Sequence, residues 1–145
     1  MNIQINIEIL NPWASNKRYW RTEVNRALKQ KSFGMLDNSI EANIMIDNIK
    51  FTSFQIVEFY EKLYTWMKSD NNDFKFYCDE YDESQSVIIR FKKLSDADCW
   101  RLTSEIEALS IQLSDSDFRD FLANLLSLIE KSLKDELDID IIDFT

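Results

Sequence analysis

The stretch between Leu109 and Leu137 constrains the fold more than any other part of this sequence. It reads LSIQLSDSDFRDFLANLLSLIEKSLKDEL, in which an alternating pattern is followed directly by a helical one. Leu109, Ile111 and Leu113 alternate with polar residues, which is the period of a strand with one buried face. The apolar residues that follow recur at helical spacing and define one side of a helix: Phe118, Phe121, Leu122, Leu125, Ile129 and Leu133. A strand that leads into a long helix indicates an α+β domain.

The residues between these two patterns favour a helix start. Ser114, Asp115, Ser116 and Asp117 offer side-chain oxygens to the first free backbone N–H groups of a helix. The negative charges of the two aspartates also suit the positive end of the helix dipole. We therefore predict that the long helix begins here.

Further segments alternate between apolar and polar residues in the same way. Each is typical of a strand with one face toward a core: residues 3–9, 40–47, 74–79, 86–92 and the stretch from Trp100 onward. Asp47 and Asn48 are good turn residues, and residues 74–92 are expected to form a hairpin.

A second helix is predicted between the strand at 40–47 and the hairpin. Thr52 or Ser53 would open it, since Thr52 and Gln55 have the spacing of a capping box. Its apolar stripe contains Ile56, Tyr60, Leu63 and Met67. Together these elements predict an α+β fold in which a mainly antiparallel sheet of about five or six strands carries two long helices on one face.

The stretch from Trp100 to Leu113 has a phase problem. Trp100, Leu102 and Ile106 occupy even positions, whereas Leu109 and the apolar residues after it occupy odd ones. Because side chains alternate along a strand, one extra residue must be absorbed if both halves face the core. We predict one long strand with a bulge or break near Glu107 or Ala108.

The two ends of the chain are less regular. The segment from 13 to 38 mixes tryptophans and a tyrosine with basic residues, and residues 23–31 within it suit a short helix. Such a mixture also occurs in binders of single-stranded nucleic acid, but tryptophans more often anchor a loop onto a core. At the other end, Ile139, Ile141 and Phe144 predict a short terminal strand or a docked tail.

Composition limits the chemistry of this single domain, which is expected to span residues 1–145. The sequence contains one glycine, Gly34, and no histidine. Glycine-rich phosphate loops, Ser/His or Cys/His couples and the H-E-x-x-H zinc motif are therefore absent. Cys78 and Cys99 are expected to be buried thiols, with a disulfide between neighbouring strands as the alternative.

The hydrophobic pattern and the net charge also predict the location of the protein and the class of its partner. The first residues alternate and do not form a continuous apolar run, and no segment approaches the length of a membrane span, so we expect a soluble cytoplasmic protein. The net charge is −9; residues 1–50 carry seven basic and five acidic side chains, and residues 51–145 carry ten and twenty-one. This balance disfavours contact with nucleic acid or anionic membrane and favours a basic partner.

The segment DEYDES at the tip of the predicted hairpin is the main candidate for a site. It lacks the calcium-loop spacing, so an acidic solvated turn is favoured over a cation site. No spacing among the twenty-six acidic residues selects a catalytic pair, and we assign no catalytic, cofactor-binding or metal-binding residue. Acidic residues beside exposed tyrosines are instead typical of a protein interface. The predicted partner-binding residues are Tyr77, Asp79, Glu80, Tyr81, Asp82 and Glu83.

The order of these elements resembles that of small bacterial immunity proteins, the cytosolic antidotes of wall-associated and contact-dependent growth-inhibition toxins. The resemblance covers residues 40–133: a polar strand (EANIMID), a helix opened by threonine (TSFQIVEFYEKLYTWM), further strands (FKFYCDE, SVIIRFKK, CWRLTSEI) and the closing LSIQLSDSDFxxFLxxL. It implies no catalytic residues and no cofactor. It implies instead that the chain blocks a toxin domain, often a basic nuclease, by binding it. An enzyme or accessory subunit with a carboxylate-based site is the alternative, and the oligomeric state stays open.

Overall fold

A computed structural model describes residues 3–10, 22, 25–27, 29, 30, 40–77, 86–95 and 98–144 of the chain. The described strands and helices follow one another in an α+β arrangement. In chain order they are β1 (Ile5–Leu10), β2 (Glu41–Ile46), β3 (Ile49–Phe51), α1 (Ile56–Met67), β4 (Asp73–Tyr77), β5 (Val87–Lys93), β6 (Cys99–Thr103), β7 (Ser110–Ser114), α2 (Asp115–Leu137) and a final 3₁₀ turn (Ile141–Phe144).

The strands form two antiparallel sheets. One has three strands in the order β1-β2-β3, and the other has four in the order β4-β5-β6-β7. In the larger sheet Phe74 and Phe91 are cross-strand partners on the inner face, and both lie against rings from the helices. The predicted α+β class, the antiparallel pairing and the two helices on one face are confirmed. The single sheet of about five or six strands is corrected, because the seven described strands are divided between two sheets.

The three-stranded sheet follows the alternation in the sequence. β1 pairs with β2 so that Ile7 lies opposite Ile44, and β1 also contacts α2. The turn between β2 and β3 occurs at the predicted position. Asp47 and Asn48 have φ angles of 50° and 68°, as a type I′ hairpin turn requires.

Helix α1 begins later than predicted, and the capping box is wrong. The N-cap residue is Gln55, and no side chain caps the helix. The reason is that Phe54 is 3% exposed and donates its backbone N–H to the Ala42 carbonyl at 2.8 Å. This bond continues the β2–β3 ladder past β3, so the residues before Gln55 are held by the sheet. Of the predicted stripe, Ile56, Tyr60 and Leu63 are buried, whereas Met67 is exposed.

Ser53 provides a test of this local geometry. Its φ angle is 50°, a left-handed conformation that costs a residue with a Cβ atom about 1 kcal/mol. Replacing Ser53 with glycine should therefore raise the free energy of unfolding by about 0.5–1 kcal/mol in urea titrations. Thr52→Gly is the control, because Thr52 does not have a positive φ angle and the change should destabilise the protein. A destabilised S53G variant would contradict the assignment.

The long strand predicted from Trp100 onward is in fact a hairpin. β6 and β7 are separate antiparallel strands, in which Trp100 lies opposite Leu113 and Leu102 opposite Ile111. Directly opposed residues share a face, so the change from even to odd positions reflects the reversal of the chain and not a bulge. Ile106, which was expected in the core, lies in the connecting loop and is 42% exposed.

Helix α2 agrees with its prediction. Ser114 is the N-cap, and its hydroxyl accepts a hydrogen bond from the Asp117 backbone N–H at 3.1 Å. All of the predicted apolar residues are buried. They are Phe118, Phe121, Leu122, Leu125, Ile129 and Leu133.

The end of the chain is the docked tail that the sequence predicted as one of two possibilities. Asp138 ends α2 in a left-handed conformation, and the Ile139 N–H donates to the Leu133 carbonyl at 3.2 Å. Ile139 and Ile141 are buried, so the reversed chain packs against the helix.

The segment from 13 to 38 lies largely outside the described residues. Residues 22, 25–27, 29 and 30 are helical, in agreement with the short helix predicted at 23–31, and Ala27 is buried. Among the helices that the structure describes, none is long and apolar enough to cross a membrane.

Candidate partner-binding surface

The structure places one predicted site residue and leaves the others undescribed. Tyr77 ends β4 and is 39% exposed. The remaining predicted residues lie outside the described part of the chain: Asp79, Glu80, Tyr81, Asp82 and Glu83. The strands before and after them, β4 and β5, are described and pair as a hairpin.

The base of this hairpin is irregular. Phe76 lies opposite Ile89, but Tyr77 lies opposite Val87, so β5 contains one residue more than β4 at this point. Such a bulge explains why Val87, Ile88 and Ile89 are all buried although they follow one another in the sequence. It also increases the local twist of the hairpin just before the tip.

The loop between β6 and β7 is joined to this base. The Glu105 side chain accepts a hydrogen bond from the Val87 N–H at 2.8 Å, and the Glu105 N–H donates to the Val87 carbonyl at 2.9 Å. Val87 therefore lies between Tyr77 on one side and Glu105 on the other. The alternation of residues does not reveal this loop, because it predicts one long strand with a bulge or break near Glu107 or Ala108.

The loop adds exposed groups at the end of the sheet where β4 ends and β5 begins. The Ser104 hydroxyl accepts hydrogen bonds from the Ile106 and Glu107 N–H groups, both at 3.2 Å, and so fixes the loop. Ile106 is 42% exposed, and the glutamates on either side of it are exposed as well. We call Tyr77, Glu105, Ile106 and Glu107 the hairpin-end surface. It combines two large exposed side chains with two carboxylates.

A charged hydrogen-bond pair supports the hairpin on its outer side. The Arg90 guanidinium donates two hydrogen bonds to the Asp73 carboxylate, each 2.9 Å long. These bonds, together with the positive charges of Lys75 and Lys92, lower the pKa of Asp73 below its usual value. Bidentate pairs of this kind stabilise a fold and also restrict the relative positions of the two side chains. The pair therefore helps to hold β4 and β5 in register.

The Asp73–Arg90 pair predicts a pH-dependent loss of stability. Asp73→Asn should lower the free energy of unfolding by about 1 kcal/mol at pH 7, because the pair is only about one-third exposed. Since the pKa of folded Asp73 is depressed, its contribution is present above the ordinary value of 3.8 and is lost as the pH falls below it. Urea titrations at pH 7 and pH 2.5 would measure this.

The matched control for that prediction is Asp70→Asn. Asp70 is exposed, and none of the hydrogen bonds or salt bridges described for the chain involves its side chain. Its replacement should change stability by less than about 0.5 kcal/mol at either pH. A difference between D73N and the native chain that is the same at both pH values would contradict the assignment.

Comparison with known proteins places the chain in a family. It matches the family described as "Domain of unknown function (DUF7878)" over residues 12–137, which is most of its length. The chain belongs to the DUF7878 family. No curated protein and no solved structure matches it. The matched region of this DUF7878 chain includes both sheets beyond β1, both long helices and the hairpin-end surface.

The DUF7878 domain also has a cleft between the end of α1 and the start of α2. It has a volume of about 370 Å³, and Trp66, Trp100 and Phe118 line it together with polar residues of the 69–72 turn. Asp115 lies at this cleft, but both of its carboxylate oxygens are engaged, one by the Trp100 indole N–H at 3.1 Å and one by Arg119 at 3.0 Å. Asp115 thus serves the packing of α2 onto the sheet.

The remaining candidates for chemistry are potential metal ligands and the two cysteines. Among the residues that the structure describes, no three His, Cys, Asp or Glu side chains lie close enough together to hold a metal ion. Cys99 is a buried free thiol, and the Gln112 amide donates to its sulfur at 3.4 Å. This finding agrees with the buried thiol predicted for Cys99 and not with the disulfide alternative. Cys78 lies outside the described residues.

Proposed function

We propose that this chain binds one cognate bacterial toxin domain and neutralises it as an immunity protein, by stoichiometric protein–protein inhibition. The structural observation that supports the proposal is the hairpin-end surface. Tyr77 and Ile106 are large exposed side chains, and Glu105 and Glu107 lie on either side of Ile106. In the sequence, the acidic residues 79–83 follow Tyr77 closely. The order of elements over residues 40–133, which resembles that of immunity proteins, supports it independently.

The chemistry of this surface suits a basic partner. Interface affinity usually depends on a few large side chains that become desolvated, and aromatic residues are common among them. Tyr77 and Ile106 would supply this contact area. The acidic side chains around them would attract a positively charged domain and increase the rate of association. Inhibition of this kind needs no catalytic residue on the antidote, because the bound chain covers the active site of the toxin or a surface next to it.

The first experiment is to capture the partner. The full chain, tagged and expressed in its native cell, should retain a single toxin domain in a one-to-one ratio, identified by mass spectrometry. Recovery of a metabolic complex would favour the alternative of an enzyme or accessory subunit with a carboxylate-based site. Recovery of nothing would count against the antidote proposal.

Once the toxin domain has been identified, neutralising the acidic side chains of residues 79–83 tests their role in binding it. Replacing Asp79, Glu80, Asp82 and Glu83 with their amides should slow association by about tenfold or more at low salt, because electrostatic steering is lost. The dependence of the association rate on salt should flatten at the same time. Stopped-flow mixing at several salt concentrations measures both effects.

A control with the same change in charge separates local steering from net charge. The exposed acidic residues of α2 are available for this purpose, since they lie away from the hairpin: Asp117, Asp120, Asp135 and Glu136. Their amide variant should associate nearly as fast as the native chain. Equal slowing in both variants would show that net charge alone matters, and an unchanged rate in the tip variant would remove the tip from the interface.

A further inference from the structure

The outer face of the four-stranded sheet has a charge opposite to that of the rest of the protein. The register of β4, β5 and β6 places four basic side chains on this face, although the chain as a whole has a net charge of −9. We call these residues the basic face: Lys75, Arg90, Lys92 and Arg101. They come from three strands, and only the strand pairing brings them together.

The basic side chains are arranged in two directly opposed pairs. Lys75 lies opposite Arg90, and Lys92 lies opposite Arg101. Like charges in directly opposed positions of a sheet destabilise it. A neighbouring anion would relieve this repulsion, so the arrangement is unfavourable for the isolated chain and favourable for a chain with an anion bound.

Two carboxylates compensate this charge in part. Asp73 bonds to Arg90 at 2.9 Å and lies 3.8 Å from Lys75. Lys92 and Arg101 have no ion pair with any residue that the structure describes. Asp73 is also the cross-strand partner of Lys92. The Glu105 carboxylate in the β6–β7 loop adds a second negative charge, which after the hydrogen bond from Asp73 helps to raise the pKa of Arg90. Four cations therefore face two carboxylates, and the excess positive charge is greatest at Arg101, whose cross-strand partners are Lys92 and Gln112.

The basic face is accessible. The phenylalanines of β4 and β5 point to the other side of the sheet, where α1 and α2 cover them. The side chains of Lys75 and Arg90 are 39% and 32% exposed, and Lys92 and Arg101 are exposed as well. Gln112, opposite Arg101 on β7, extends the exposed polar surface to the far edge of the sheet.

We propose that the basic face docks an acidic patch on the surface of the toxin partner. The inference rests on the proposed function and deepens it: the same partner would present basic groups to the hairpin-end surface and carboxylates to the sheet. Tyr77 follows Lys75 on the same side of β4, so the two surfaces are continuous. Opposite charges side by side allow only one orientation of the partner, because a rotated partner would bring like charges together.

The size of the face favours a protein patch over nucleic acid. Neighbouring strands lie about 4.8 Å apart, so the four basic groups cover only a small area. A long polyanion that crossed this area toward Tyr77 would meet the exposed carboxylates of Glu105 and Glu107, which would repel it. A compact group of carboxylates on a folded partner avoids this repulsion.

The basic face can be tested without the toxin. We would titrate the ¹⁵N-labelled full chain with an acetylated hexaglutamate amide and follow backbone amide shifts by NMR. The shifts should be saturable and confined to the strands β4, β5, β6 and β7. The double variant K92E/R101E should bind the peptide at least about tenfold more weakly, since two attractive contacts become repulsive.

The matched control is the double variant K29E/K131E, which has the same net charge. Lys29 and Lys131 are exposed helical residues that do not belong to the strands of the sheet, and their reversal should leave the peptide shifts in place. Equal loss in both double variants, or no saturable shift in the native chain, would overturn the inference. Tighter binding of a twelve-nucleotide oligothymidine to the same strands would overturn it in favour of a nucleic-acid face.

The test of the basic face and the test of the proposed function can fail independently of each other. The peptide titration involves no toxin. A negative result would therefore reject anion binding at the basic face and would not bear on the hairpin-end surface. The amide variant of residues 79, 80, 82 and 83 should keep the peptide shifts on the sheet even though it associates slowly with the toxin. A chain that binds the peptide but captures no toxin would contradict the proposed function, and with it the toxin as the partner of the basic face.

Discussion

Replacing Phe118 with alanine is expected to lower the free energy of unfolding by about 3–5 kcal/mol. Phe118 is 2% exposed and stacks on Trp100, with ring centroids 4.4 Å apart and planes at 16°. It also meets Phe91 edge-on at 5.5 Å and Trp66 at 6.4 Å. One ring from α2 therefore contacts α1 and two strands of the larger sheet, and its removal leaves a cavity where these elements meet.

This loss would be a large share of the stability of a small domain, which is typically about 5–15 kcal/mol. Urea unfolding followed by far-UV circular dichroism is the suitable measurement, because tryptophan fluorescence would change with the loss of the Trp100 stack itself. Phe118→Leu should fall between the native chain and the alanine variant, since it keeps most of the buried volume.

Ile106→Ala is the control for this experiment. Ile106 is also a large apolar residue, but it is 42% exposed in the β6–β7 loop. Its truncation should cost less than about 0.5 kcal/mol. If F118A lost no more stability than I106A, the aromatic contacts of Phe118 would not be what holds α2 against the sheet.

Helix α2 could be predicted because all of its determinants are local. Ser114 caps its N-terminus, and its buried residues recur at the spacing of a helix. The start of α1 has equally local signals in Thr52 and Gln55, yet the capping box that they predict does not form. The Phe54 N–H bonds to Ala42 on β2, and this long-range contact decides the local conformation. Capping patterns are thus reliable only where the sheet makes no competing hydrogen bond.

The β6–β7 hairpin could not be distinguished from a bulged strand on the alternation of residues alone. Both arrangements place Trp100, Leu102 and Leu113 on one face, and residues 104–109 contain no glycine, proline or asparagine to mark a turn. The same limitation applies to the candidate site. Glu105 and Ile106 reach the hairpin base only because the chain reverses. The basic face depends on which strands pair and in which register, and the alternation of residues within single strands does not show this.

The largest pH effect is expected from Tyr60, whose ring is buried and whose hydroxyl donates a hydrogen bond to the Glu130 carboxylate. Burial and, after it, the bond to Glu130 raise the pKa of Tyr60 well above its ordinary value of 10.0. This bond joins α1 to α2, and Tyr60→Phe should cost about 1–2 kcal/mol at pH 8.

The sign of the pH dependence follows from the raised pKa of Tyr60. Above pH 10 the unfolded chain releases the tyrosine proton while the folded chain keeps it, so the stabilising contribution should fall by about 1.4 kcal/mol per pH unit. Other groups also titrate at this pH, but they do so equally in native and Y60F chains. The difference in unfolding free energy between the native and Y60F chains should therefore shrink from pH 8 to pH 11 in urea titrations.

A Tyr64→Phe variant serves as the control, because Tyr64 stacks on Tyr60 at 6.0 Å and is only partly buried. If the difference between the native chain and Y60F stayed constant with pH, the Tyr60 hydroxyl would be titrating in the folded protein as it does in water, and the bond to Glu130 would not hold the helices together.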